Sequence, residues 1–318
     1  MEHFVYKDNN LLVEDVSIAS VAEKFGTPCF IYSKAALEQN YQAYKRAFQD
    51  HPHLICYAVK ANSNLAVLNV LAKLGAGFDI VSSGELDRVI AAGGDPKKVT
   101  FSGLGKTTLE IYKALDEGIH CFNIESEAEL QRIDDIAVDK SQVAPISIRV
   151  NPDVNADTHP YISTGLKENK FGVSMEKAMQ LYMRAKKMEG IFIKGLDFHI
   201  GSQLTSITPI LDALERILTL NDQLISKGVT IEHINIGGGL GVIYEDETPP
   251  TPNDLISAVK EKLHDTGLKI VVEPGRSIAA NAGILVTKIE YLKNHGEKNF
   301  AIIDSAMNDL IRPALYGA

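Results

Sequence analysis

The sequence predicts an α/β fold: a TIM-type (β/α)8 barrel with a second, mostly β domain attached. Three observations predict it. Eight short apolar runs rich in β-branched residues recur along the chain, each bounded by Gly, Pro, Asn or Ser, as strands buried on both faces are. Longer amphipathic stretches with helical spacing fill the gaps between them. Eight such strand–helix units over roughly 250 residues match the size of a closed barrel. A doubly wound open sheet shows the same alternation, and counting strands does not separate the two.

Taken in order, the apolar runs lie at 55–59, 78–81, 99–101, 121–124, 146–150, 193–200, 231–236 and 270–272. Ser33 is placed to cap a helix that runs through Phe48. Further helices are predicted at 65–74, 84–92, 107–117, 126–137, 175–187, 207–227 and 253–266. Gly75, Gly93, Gly118, Gly228 and Gly267 stand where these helices should stop in left-handed C-caps. The ends fall outside this count. A short helix at about 17–25, a strand at 29–32 and two strands at 284–291 and 300–303 are assigned to the β domain. The expected division is 1–34 as an N-terminal segment of the β domain, 35–280 as the barrel, and 281–318 as the start of the C-terminal β domain.

Composition narrows the function. Lys+Arg number 32 against 41 Asp+Glu, a formal net charge of −9, so the basic footprint of a nucleic-acid binder is missing. No apolar run approaches the 18 or so residues of a membrane helix. The first residues carry no basic-then-apolar targeting pattern. Cys29, Cys56 and Cys121 are odd in number and widely spaced, which predicts a reducing, cytoplasmic setting.

A barrel of this kind does its chemistry at the C-terminal ends of its strands. Those ends are polar here: Lys60, Asp79 and Ser82, Ser102, Asn123 and Glu125, Arg149 and Asn151, His199 to Gln203, Gly237 to Gly239, and Glu273 to Arg276. Polar groups converging on one rim of an apolar barrel are costly, and so mark a site. Lys60 follows four apolar residues; partial desolvation would lower its pKa and make it a nucleophile toward an aldehyde, or it is a snorkelling strand-end lysine. Gly237-Gly238-Gly239 and Pro274-Gly275-Arg276 follow the seventh and eighth strands, where barrels often hold phosphate; a tight turn is the plainer reading of either alone. His199 could act as acid, base or stacking plate, or be structural, and no second His or Cys at ligand spacing supports a metal. Glu273 ends an apolar strand and needs a cationic partner, either a protonated heteroaromatic nitrogen or Arg276 beside it. An imine-forming lysine, phosphate-binding glycines, a carboxylate for a ring nitrogen and a flat histidine are together what pyridoxal 5′-phosphate requires.

The motifs also resemble a known family. Tyr57 to Asn62, Gly77 to Leu86, Lys170-Phe171-Gly172, His199 to Gln203, Gly237 to Gly239, Glu273 to Arg276 and Met307 to Tyr316 occur in the order seen in diaminopimelate decarboxylases, of the alanine-racemase-like group of pyridoxal-phosphate enzymes. The resemblance runs from about residue 5 to the end. It implies a carboxy-lyase of lysine biosynthesis that takes CO2 from meso-2,6-diaminopimelate, works as a homodimer with shared active sites, and binds no nucleic acid or membrane. It implies that Lys60 is the Schiff-base lysine, that Asp79 lies in the cofactor site, that His199 stacks on the ring and that Glu273 pairs with the ring nitrogen. Ser202, Gly239, Gly275 and the backbone of Arg276 would hold the phosphate, Gly238 would also lie in the cofactor site, and the side chains of Arg276, Arg312 and Tyr316 would bind the substrate carboxylates. The group's racemases place an arginine at the ring nitrogen, so a carboxylate there favours decarboxylation.

Two alternatives remain at this stage: a decarboxylase of ornithine, arginine or carboxynorspermidine, and a non-catalytic pyridoxal-phosphate-binding protein. The family also carries a later Cys-Glu motif and tyrosine that this sequence lacks. The expectation is that the chain is the N-terminal part of a longer protein, of low activity by itself. Residues 151–169 are expected to form a long loop after the fifth strand, either a lid or a surface Ω-loop.

Overall fold

The structure, a computed structural model, describes residues 3–154 and 170–316. It divides into two compact units, Asn40–Ile278 and the two chain ends, Met1–Gln39 with Ala279–Ala318. The first unit is the barrel. Its eight parallel strands are His53–Ala58, Gly77–Ile80, Val99–Phe101, Cys121–Ile124, Ala144–Asn151, Ile191–Asp197, His233–Asn235 and Lys269–Val272. Each pairs with the next, and the eighth pairs with the first through Ile270↔His53, Val271↔Leu54 and Val272↔Ile55. The sheet is therefore closed, which strand counting left open.

All eight predicted strands are present, and the reason is visible in their burial. Leu54 to Ala58, Gly77 to Ile80 and Cys121 to Ile124 are buried at every position, so no polar alternation is needed. The predicted helices are present as well, from Lys34–Phe48, whose Ala36 amide donates to Ser33 Oγ at 3.0 Å, to Pro252–Leu263. Their five terminal glycines have φ between +63° and +84°. After the eighth strand only a single turn follows, Arg276–Ala279.

The second unit corrects the sequence reading in two places. The strand expected at 284–291 is two strands, Gly283–Val286 and Ile289–His295. The first pairs with Cys29–Tyr32 and the second with Lys298–Ile303. Asp304 fixes the break: its carboxylate accepts from Thr287 Oγ1 at 2.5 Å and from the Lys288 amide at 2.9 Å. These bonds and a third from Thr27 Oγ1 pull its pKa down to about 2. A small antiparallel sheet, Phe4–Lys7, Asn10–Val13 and Val16–Ser17, also precedes the first helix and was not foreseen. Asp8 and Asn9 form its two-residue turn, both with positive φ, the geometry that suits a tight hairpin. Of the loop expected at 151–169, residues 155–169 lie outside the described residues. Among the described residues no helix is long and apolar enough to cross a membrane.

Candidate active site

The C-terminal ends of the barrel strands enclose a cavity of about 590 Å3. Lys60, His199, Ser202, Gly238, Gly239, Glu273, Gly275 and Arg276 line it, and Asp79 stands under Lys60. The structure thus brings nine of the eleven sequence-predicted site residues to one place. Arg312 and Tyr316 belong to the other unit, on the helix Arg312–Tyr316, where the guanidinium lies 6.0 Å from the tyrosine ring.

Lys60 sits in a single 3-10 turn directly after the first strand. Its amine is 2.6 Å from Asp79 Oδ2; Asp79 is fully buried, while the lysine side chain is half exposed. The other carboxylate oxygen, Asp79 Oδ1, is buried without a hydrogen-bond partner. The direction of the Lys60 pKa reverses the sequence expectation. Burial does press it down, but the carboxylates of Asp79 and Glu273 outweigh burial and raise it. Lys60 is therefore charged in this state, and its amine must pass a proton on before it can attack a carbonyl.

Glu273 lies at the floor of the cavity. Its Oε1 accepts from Asn235 Nδ2 at 2.6 Å, Thr100 Oγ1 at 3.1 Å and Asn123 Nδ2 at 3.2 Å. All three donors are neutral, and Oε2 is left for a ligand. Burial and the nearby Asp79 charge raise the Glu273 pKa, with Lys60 and the hydrogen bonds opposing. Arg276, the alternative partner for Glu273, is bonded elsewhere: Nε donates to Ser202 Oγ at 3.2 Å and Nη1 to Tyr244 Oη at 2.5 Å.

His199 Nδ1 accepts from the Gly238 amide at 3.3 Å, which places the ring proton on Nε2. Burial and the positive Arg149 and Lys60 hold its pKa well down, so the ring is neutral. Beneath it the loops after strands six, seven and eight are locked together. The Gln203 side chain bonds both backbone groups of Val242, Leu204 N donates to Gly239 O, and Glu273 N donates to Gly237 O. The fit excludes side chains: a Cβ at Gly238 would lie 2.2 Å from Glu273 O, and one at Gly239, whose φ is +125°, 2.6 Å from Gly201 O.

The structure adds several residues to the predicted site, of which Asn123, Glu125 and Arg149 were foreseen only as polar strand ends. Thr100, Asn123 and Asn235 hold Glu273. Arg149 lines the cavity, bonded to Glu125 Oε1 at 3.0 Å and stacked 4.9 Å from the Phe171 ring, and Glu125 Oε2 accepts from the Gly172 amide. Asp197 is in the cavity wall, and Tyr244 holds Arg276. A signal existed: apart from Tyr244 and the residues that hold Arg149, these are the polar residues that interrupt otherwise apolar strands.

Comparison with known proteins gives a consistent result. The model of the pyridoxal-binding domain of pyridoxal-dependent decarboxylases matches residues 34–280. The diaminopimelate decarboxylase of Pseudomonas aeruginosa is 58% identical over 318 residues, covering 100% of this chain and 77% of that protein. The diaminopimelate decarboxylase of Haemophilus influenzae is 56% identical over 319 residues, with the same coverage. Among solved structures, diaminopimelate decarboxylase from Helicobacter pylori complexed with L-lysine superposes with a TM-score of 0.92 at 43% identity, over 94% of this chain and 76% of that one.

Proposed function

The chain belongs to the pyridoxal-dependent decarboxylases, in the diaminopimelate decarboxylase family, and from that premise we propose that it removes CO2 from meso-2,6-diaminopimelate to leave L-lysine. The residues present fit the cofactor. The Gly238–Gly239 turn leaves a cradle that any Cβ would fill, beside Ser202, Gly275 and Arg276, as a phosphate requires. Lys60 offers an amine to the same cavity, and Glu273 offers a carboxylate oxygen that no donor among the described residues uses.

That buried carboxylate is the observation that carries the reading. When bound, pyridoxal phosphate supplies an electron-withdrawing ring that takes up the charge left as CO2 departs. Glu273 would hold the ring nitrogen and favour its protonated form, since three neutral donors fix one oxygen and leave the other to accept. Asp79 would stabilise the charged Lys60 amine whenever the lysine is not joined to the cofactor, and is the nearest acceptor for its proton at 2.6 Å. His199, neutral and fixed by the Gly238 amide, would present the flat face of its imidazole to the ring. Arg276 presents carboxylate-binding hydrogens: with Nε and one Nη1 hydrogen occupied, its other Nη1 hydrogen and both on Nη2 remain. Arg312 and Tyr316 keep the role of carboxylate binders that the family resemblance gives them, for a long diamino diacid with a carboxylate at each end. This remote binding orients the bond to be broken.

We read the working enzyme as a homodimer with shared active sites, located in the cytoplasm, where the three free cysteines stay reduced. Equilibrium sedimentation should give a two-chain particle, and a fully active monomer overturns the shared site. The decisive test of the reaction measures CO2 release and L-lysine formation on meso-diaminopimelate, ornithine, arginine and carboxynorspermidine. Release from ornithine or arginine, with none from diaminopimelate, overturns the substrate. Borohydride reduction followed by peptide mass analysis must find the cofactor on Lys60.

A further inference from the structure

We propose that Asp197 is a hydrogen-bond donor to the ring hydroxyl oxygen of the bound cofactor, an inference that rests on the cofactor site argued above. Asp197 ends the sixth strand, two residues before His199, so both side chains leave the strand on the same side. It is 2% exposed and lines the cavity. Its Oδ1 is buried with no hydrogen-bond partner among the described residues. An unpartnered carboxyl of this kind is expensive to keep.

The neighbours do not supply the partner. In the sheet register Asp197 lies beside Arg149 on one strand and Asn235 on the other. Arg149 is bonded to Glu125 and stacked on Phe171. Asn235 is engaged at both ends of its amide, by Glu273 and by the Gly237 amide. Burial and the carboxylates of Glu273, Glu125 and Asp79 raise the Asp197 pKa well above the usual range, against the pull of Arg149. A carboxylate left without a partner in this layer would cost far more than the neutral acid, so Asp197 offers an O–H. A ligand that completes it must bring an acceptor. The phosphate is held by the glycine loops, the ring nitrogen by Glu273 and the aldehyde carbon by Lys60, which leaves the ring hydroxyl oxygen.

The test uses the cofactor-loaded wild-type protein with Asp197→Asn and Asp197→Leu. Asparagine keeps an N–H donor, so its cofactor affinity and the pH midpoint of the cofactor's absorbance should stay near those of the wild type. Leucine removes the donor, and affinity should fall roughly tenfold while the midpoint shifts. In wild-type protein the infrared carbonyl band of the protonated carboxyl, missing in Asp197→Asn, should move on cofactor binding, a readout that stands even if the leucine variant does not fold. Wild-type behaviour of the leucine variant, or equal shifts in both variants, overturns the proposal. So does a band that moves only when L-lysine is added. A protein that binds the cofactor and shows these shifts but does not decarboxylate diaminopimelate sinks the earlier reading and leaves this one standing.

Discussion

Replacing Glu273 separates its chemical task from its structural one. In Glu273→Gln the side-chain oxygen can still accept from Asn235, Thr100 and Asn123, so the hydrogen bonds that hold the strand ends survive. Only the charge is lost, and with it the group that keeps the ring nitrogen protonated. Losing one such fixed electrostatic partner costs about 100-fold to 1,000-fold in kcat. Stability should move the other way. The Glu273 pKa is raised in the folded protein, so ionising this carboxyl disfavours the ligand-free fold. That cost appears as pH rises from the unfolded carboxyl pKa through the folded one. Below this window acid and amide behave alike; above it the glutamine variant should melt at a higher temperature than the parent. Glu273→Leu is the contrast. It strands three buried donors, each worth about 1–3 kcal/mol when unsatisfied, and should lose about 3 kcal/mol or more. The assay pairs steady-state decarboxylation with thermal melts of the cofactor-free protein at acid and alkaline pH. A glutamine variant with near-parental kcat, or one that melts lower at high pH, would refute the reasoning.

Three further outcomes follow from the geometry. Gly238→Ala puts a methyl 2.2 Å from Glu273 O, so cofactor affinity measured by equilibrium dialysis should fall at least roughly tenfold, whereas Gly267→Ala, with open space around its Cβ, should leave it unchanged. Lys106→Met leaves Glu129 buried without its partner at 2.6 Å and should cost about 3–5 kcal/mol in denaturant unfolding, most of it recovered by Lys106→Met with Glu129→Leu. His120 and His233, with rings 5.6 Å apart at the other end of the barrel, are held neutral by burial and by Lys194 and Lys269, with pKa values pushed down to about 4 and about 3. The unfolded chain takes up their protons first, so stability should fall as pH drops below about 6.5, by up to about 1.4 kcal/mol per pH unit for each ring, and His233→Leu should flatten that slope.

The barrel was legible because its strands are buried on both faces, which leaves an apolar run with nothing to alternate against. Lys60, His199 and the two glycine loops were legible because they sit at strand ends, where polar residues stand out. Asn235 and Asp197 were harder: each sits inside or at the edge of an apolar run, and only closure of the sheet turns those positions inward. Pairing was beyond sequence reach in the same way. Nothing along the chain says that Glu273 would be satisfied by Thr100, Asn123 and Asn235, residues 173, 150 and 38 positions away, rather than by the adjacent Arg276. The Lys60 pKa failed for the same reason, since the desolvation argument was sound and the two opposing carboxylates arrive from other strands. In the other unit, the break near Thr287 depends on Asp304, a contact set by folding.

The polar layer at the mouth of the barrel has an energetic consequence for the whole enzyme. Asp79 Oδ1, Asn123 Oδ1, Ser147 Oγ and Asp197 Oδ1 are all buried and unbonded, and all four residues lie on barrel strands. Asp79, Glu273, Glu125 and Asp197 also crowd four acidic groups against the two cations Lys60 and Arg149. A barrel built only for stability would fill this layer with Val, Ile and Leu. The arrangement makes sense if a ligand supplies what the chain lacks: a cationic ring nitrogen for Glu273, an acceptor for Asp197, and an electrophile for Lys60. Binding free energy is then also folding free energy. The cofactor should therefore raise the melting temperature through this layer, and the variants that remove its unsatisfied groups should gain the least from loading.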